Sequence, residues 1–89
     1  MTADRLLVEF PAAETLQRLA LSNSGFVFDP MTGNSFTVSS TGLAILRLLQ
    51  QNSSLEQILK TLHEEYDAEP GVAERDVIEF AGQLCSQLR

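Results

Sequence analysis

The chain has few of the residues from which catalytic and structural devices are usually built. A single cysteine, Cys85, cannot form an internal disulfide, which fits a reducing compartment. With no histidine or second cysteine at ligand spacing it is no metal ligand either, and it reads as a small buried hydrophobe. The single histidine, His63, lies in a helical run beside Glu64, with no nucleophile or second acid/base group spaced to work with it. It reads as a partly exposed helical residue. Basic residues are also scarce: six Lys and Arg stand against twelve Asp and Glu, a net charge of −6. That balance opposes the phosphate neutralisation behind nucleic-acid affinity and opposes attachment to an anionic membrane. No apolar run approaches the roughly 20 residues needed to span a bilayer. The first residues, with Asp4 and Glu9, lack the apolar core of a signal peptide. The expectation is a soluble, cytoplasmic, non-enzymatic protein with no catalytic residue, no metal and no cofactor, and without nucleic acid or membrane as partner.

What the chain does contain is a globular domain's share of apolar residues, 44% of 89. One domain over 1–89 follows, with a core near the lower limit for independent folding, so a homodimer is one way to bury more surface. The most informative stretch runs from Gly25 to Ser40. Phe26-Val27-Phe28 and Phe36-Thr37-Val38 are β-branched and aromatic runs around the turn Pro30-Met31-Thr32-Gly33, the pattern of a half-buried hairpin. The segment Asp29–Asn34 superficially resembles a cation loop but lacks the ligand alternation and the bidentate Glu of an EF-hand. Gly25, Gly33 and Gly42 form no phosphate-cradling loop.

Residues 1–24 are harder to place. Leu6–Phe10 has strand character, and Leu16, Leu19 and Ala20 have helical spacing. Leu19 and Leu21 also alternate as in a strand before the turn residues Ser22–Gly25, which favours a short strand around Arg18–Leu21 pairing with Phe26–Asp29. Beyond Ser39 the pattern is helical. Ser39 or Ser40 caps a first helix carrying Leu43, Ile45, Leu46, Leu48 and Leu49, which ends at Gln50–Asn52. Ser53 with Glu56, or Ser54 with Gln57, has capping-box spacing for a second, with Leu55, Ile58, Leu59, Leu62 and Tyr66 on one face. The acidic run His63–Glu69 reads as a solvated helix end, and Asp67–Gly71 as a loop. A third helix spans about Val72 to Leu88, with Val77, Phe80, Ala81, Leu84 and Leu88 on its apolar stripe. The predicted fold class is α+β: a small antiparallel β-sheet of two to three strands followed by a three-helix bundle, winged-helix-like.

A winged helix invites a DNA-binding reading, with the third helix as the reading element. Its exposed start, however, offers Glu74, Asp76 and Glu79 against one base, Arg75, which would set carboxylates against phosphates. A small oligomerising structural subunit is a further alternative. A free sheet edge backed by helices suits a different task, the capture of an extended peptide as an added strand.

The run Val38-Ser39-x-Thr41-Gly42-x-x-Ile45-Leu46-x-Leu48-Leu49 resembles the strand end, cap and first helix of PqqD-like proteins. Leu55-Glu56-Gln57-Ile58, Leu62 and Glu65-Tyr66, then Asp76-Val77-x-x-Phe80-x-x-x-Leu84, resemble that family's second and third helices. The likeness covers residues 25–88, and the Gly25–Gly33 start is most similar to a subgroup associated with a kinase related to HPr kinase. It implies a peptide chaperone, a recognition element for ribosomally made, modified peptides. Such proteins capture a precursor (leader) peptide by strand addition to the sheet's third strand, against the third helix. They present it to a modifying enzyme, often a radical-SAM protein. Carried over by position, the resemblance implies an edge strand of Asn34, Ser35, Phe36, Thr37 and Val38 and a groove wall of Val77, Phe80, Ala81 and Leu84. The chain departs from the family pattern in three places. It has Asn52-Ser53 where Asp-Gly is common, Gly82 where a larger apolar residue is common, and Leu88-Arg89 without the usual Gly-Leu.

Overall fold

The computed structural model describes residues 9–67 and 69–88. Its elements are helix α1 (Ala13–Arg18), strands β1 (Ala20–Leu21), β2 (Phe26–Phe28) and β3 (Ser35–Thr37), and helices α2 (Ser40–Gln50), α3 (Leu55–Tyr66) and α4 (Pro70–Gln87). The strands form one antiparallel sheet in the order β1-β2-β3, with Leu21 opposite Val27 and Val27 opposite Phe36. This is the expected α+β class, a three-stranded sheet followed by helices.

Three local devices follow directly from side-chain chemistry. The Ser39 hydroxyl accepts the Gly42 N–H at 3.1 Å and starts α2. Ser54 and Gln57 form a reciprocal capping box on α3, at 3.2 and 2.9 Å. At the end of α2, the Ser53 N–H donates to the Leu48 carbonyl and the Asn52 N–H to the Leu49 carbonyl, with Asn52 at φ 62°. That is a Schellman closure, and asparagine is the residue after glycine best able to hold the left-handed position. The Asn52-Ser53 departure from the family pattern is thereby accommodated.

The N-terminal segment differs from its predicted form. Arg18 is the last residue of a helix, and the strand comprises Ala20–Leu21 alone. Leu16 and Leu19 are both buried in the same core cluster. The Gln50 amide donates to the carbonyls of Leu16 and Leu19 at 2.9 and 3.0 Å, closing α1 onto α2. Phe10 packs on the core without belonging to a strand, and the rest of Leu6–Phe10, save Glu9, lies outside the described residues. Two further boundaries move. α4 begins at Pro70 rather than Val72, because proline lacks an N–H that the first helical position leaves unbonded anyway. Tyr66, expected on the buried face of α3, is 42% exposed at the helix's last residue, past the core cluster.

The core has two clusters. Leu16, Leu19, Val27, Leu46 and Leu84 join α1, the sheet, α2 and α4. Ile45, Ile58, Leu62, Ala73 and Val77 join the three long helices. Phe80 packs against both clusters, and so do Phe10 and Leu49. In β2, Val27 points into the core while Phe26 and Phe28 face out.

Asp29, which closes β2, is the one buried charged side chain among the described residues, and it is fully buried. Arg18 holds it with two parallel bonds, Nε to Oδ1 and Nη2 to Oδ2, each 2.8 Å. Its Oδ1 also accepts the Met31 N–H at 3.0 Å, fixing the hairpin turn. The Arg18 bonds, followed by the Met31 N–H, hold its carboxyl at about 2 against the opposing effect of burial. The residue that superficially suggested a cation loop is therefore half of an internal ion pair.

Candidate functional site

β3 is an edge of the sheet, and its register decides which backbone groups remain available. The Val38 N–H donates to the Gly25 carbonyl and the Asp29 N–H to the Asn34 carbonyl, both at 2.8 Å. Antiparallel pairs alternate between bonded and non-bonded, so Val27–Phe36 is a bonded pair between these two. Phe36 therefore spends its backbone groups on β2. The N–H and C=O of Ser35 and Thr37 face the other way, where no further strand pairs among the described residues.

α4 lies along this edge. The Asn34 Nδ2 donates to the Gln87 carbonyl at 3.5 Å at one end. At the other end Phe80 and Val38 both crowd Gly42, where a Cβ would stand 2.8 Å from Phe80 Cε1 and 3.2 Å from Val38 Cβ. β3 and α4 thus run antiparallel, with a groove between them. It encloses about 770 Å³ and is lined by Phe36, Thr37 and Val38 from the strand side and Glu79, Phe80, Gly82, Gln83, Leu84, Ser86 and Gln87 from the helix. A smaller recess of about 260 Å³ continues it past the start of α2, lined by Ser39, Thr41, Gly42, Ile45, Asp76, Glu79, Phe80 and Gln83.

Of the predicted site residues, Phe36, Thr37, Val38, Phe80 and Leu84 come together in this groove. Ser35 lies on the same edge, exposed, and Asn34 marks the end near Gln87. Val77 and Ala81 do not line it: both are buried, Val77 in the cluster that joins the three long helices. The polar lip of Glu79, Gln83, Ser86 and Gln87 is not among the predicted site residues. Its signal was available: positions 79, 83 and 86 flank 80 and 84 at helical spacing. Cys85 is half-buried rather than buried, and its Sγ lies 3.6 Å from the Glu9 carbonyl.

The family model described as Coenzyme PQQ synthesis protein D (PqqD) matches residues 25–87. The chain belongs to the PqqD family. No curated protein and no solved structure matches it. The matched segment contains β2, β3 and all three long helices, and hence every residue of the groove, whereas α1 and β1 precede it. Within this PqqD-family domain the groove floor is apolar, supplied by Phe36, Val38, Phe80 and Leu84. Its rim combines the backbone of Thr37 with carboxylate, amide and hydroxyl side chains. Such a surface sets apolar side chains beside hydrogen-bonding groups along one sheet edge. No group of three or more His, Cys, Asp and Glu that could hold a metal forms among the described residues. None of the helices described is long and apolar enough to cross a membrane.

Proposed function

We propose that this PqqD-family chain is a non-enzymatic adaptor that captures a precursor (leader) peptide by β-strand addition on β3. It would then present that peptide to a modifying enzyme, of the radical-SAM or kinase-related kind that the family resemblance implies. The observation that carries the reading is the outward backbone of Ser35 and Thr37 opening onto a groove floored by Phe80 and Leu84. Edge N–H and C=O groups give register, and an apolar trough gives side-chain choice. The Gly25–Gly33 start favours the subgroup associated with an HPr-kinase-related protein. The carboxylates of Asp76 and Glu79 on the face of α4 nearest the groove count against a duplex-binding role.

The test is proline placed on the outward side of the ladder. Thr37→Pro removes an outward N–H and leaves the β2–β3 bonds intact. It should fold normally and bind short precursor peptides encoded in neighbouring genes about 2- to 12-fold more weakly, the worth of one hydrogen bond of about 0.5–1.5 kcal/mol. Isotope-labelled protein titrated with such a peptide should show the Ser35 and Thr37 amides shifting most. Unchanged affinity in folded Thr37→Pro, with no shift at those amides, rejects strand addition here.

A further inference from the structure

The groove is asymmetric in charge and width, and its ends can be told apart. Towards the start of α4 stand Asp76 and Glu79, both exposed and neither in an ion pair among the described residues. Among the described residues no Lys, Arg or His lines either compartment. The start of α2 faces the same recess with roughly half a positive charge, part of it already answered by the Ser39 hydroxyl, so two full carboxylates set the sign. Further along lies Gly82, with no atom within 4 Å of where its Cβ would stand. The lip is open there, beside the apolar floor of Phe36 and Leu84.

We infer that the groove selects peptides carrying a cationic side chain two residues before a large apolar one; this rests on the strand-capture reading above. Gly82 follows Asp76 by six residues and Glu79 by three, about 9 and 4.5 Å along the helix. Side chains on one face of a strand recur every 6.8 Å or so, between those values. A cation held by the carboxylate pair therefore puts the next same-face side chain over the gap at Gly82. The order follows from direction. An added strand antiparallel to β3, the more stable pairing, runs from the Asp76 end towards Gln87, so the cation comes first.

Panning a random peptide display library against the full chain tests this. Enriched sequences should carry Lys or Arg two positions before Leu, Ile, Met or an aromatic residue. Their affinity should fall about two- to fivefold in Glu79→Gln, as an exposed charge pair predicts. Panning against Glu79→Lys should move the preference at that position to Asp or Glu, and Gly82→Leu should abolish the preference for a large apolar partner. Enriched peptides whose binding is weakened in Thr37→Pro but whose sequences show no charge bias, or an unaltered one against Glu79→Lys, overturn the inference and leave strand capture standing. No enrichment, or binding indifferent to both Thr37→Pro and Gly82→Leu, overturns strand capture and the inference together.

Discussion

Replacing Gly42 by alanine should destabilise the domain even though it puts a better helix former into a helix. Gly42 sits in the first turn of α2, buried under Phe80 and Val38. An alanine Cβ would stand 2.8 Å from Phe80 Cε1 and 3.2 Å from both Phe80 Cζ and Val38 Cβ, inside the ~3.5–4.0 Å of ordinary carbon contact. Overfilling a packed site costs about 1–3 kcal/mol. The helical gain of Ala over Gly, about 0.5–1 kcal/mol, offsets only part of that. A net loss centred near 1 kcal/mol is expected, lowering Tm by about 4–8 °C in a domain of this size. Phe80 also lines the groove, so a ring displaced to make room should weaken peptide binding in the same variant. Urea unfolding of wild type, Gly42→Ala, Phe80→Leu and the double variant isolates the clash from the propensity term. Leucine lacks the ring edge, so Gly42→Ala should be neutral or stabilising in that background, with a coupling of about 1–3 kcal/mol. If Gly42→Ala changes stability equally in both backgrounds, the contact with Phe80 does not decide the site.

Stability should fall in acid over a defined window. The Asp29 carboxyl titrates near 2 in the folded chain, below its ordinary value of 3.8, so its contribution is complete above the latter and is lost as pH drops from about 4 towards 2. Urea midpoints measured across that range should lose their slope in Asp29→Asn relative to wild type. Ser54→Ala removes the hydroxyl that accepts the Gln57 N–H, one half of the α3 capping box, and should cost about 1 kcal/mol by chemical denaturation. Gly82→Ala, at an exposed helical position with open space around it, should instead stabilise by about 0.5–1 kcal/mol.

The parts of the fold legible in the sequence were those set by neighbouring residues. The cap at Ser39, the box at Ser54–Gln57 and the turn around Gly33 each depend on side chains within a few positions. The N-terminal segment was not legible, because Leu16, Leu19 and Ala20 have helical spacing while Leu19 and Leu21 alternate as in a strand over the same short run. What decides it is distant in sequence: Asp29 holding Arg18, and Gln50 closing the carbonyls of Leu16 and Leu19. The site was half legible for a related reason. An apolar stripe identifies a buried helix face but not how deep each residue sits, so Val77 and Ala81 looked equivalent to Phe80 and Leu84. The polar lip at Glu79 and Gln83 looked like any solvated helix surface.

The size of the edge limits what the backbone alone can do for a bound peptide. The sheet has two edges, but β1 is only two residues long, too short to pair usefully with another chain. β3 offers the N–H and C=O of Ser35 and Thr37. At about 0.5–1.5 kcal/mol for each net bond, four such groups supply roughly 2–6 kcal/mol. Micromolar binding needs about 8 kcal/mol, after at least ~4 kcal/mol lost in immobilising the partner. The shortfall has to come from side chains entering the groove, each large apolar one contributing about 1.5–3 kcal/mol when fully buried. Three or four such insertions close a shortfall of about 6–10 kcal/mol, and none of them is available to an arbitrary polar strand. A three-residue edge that captured any extended chain would also be an aggregation hazard. Under the proposed strand capture, an affinity that depends on the trough between β3 and α4 would turn a nonspecific backbone template into a sequence-selective one.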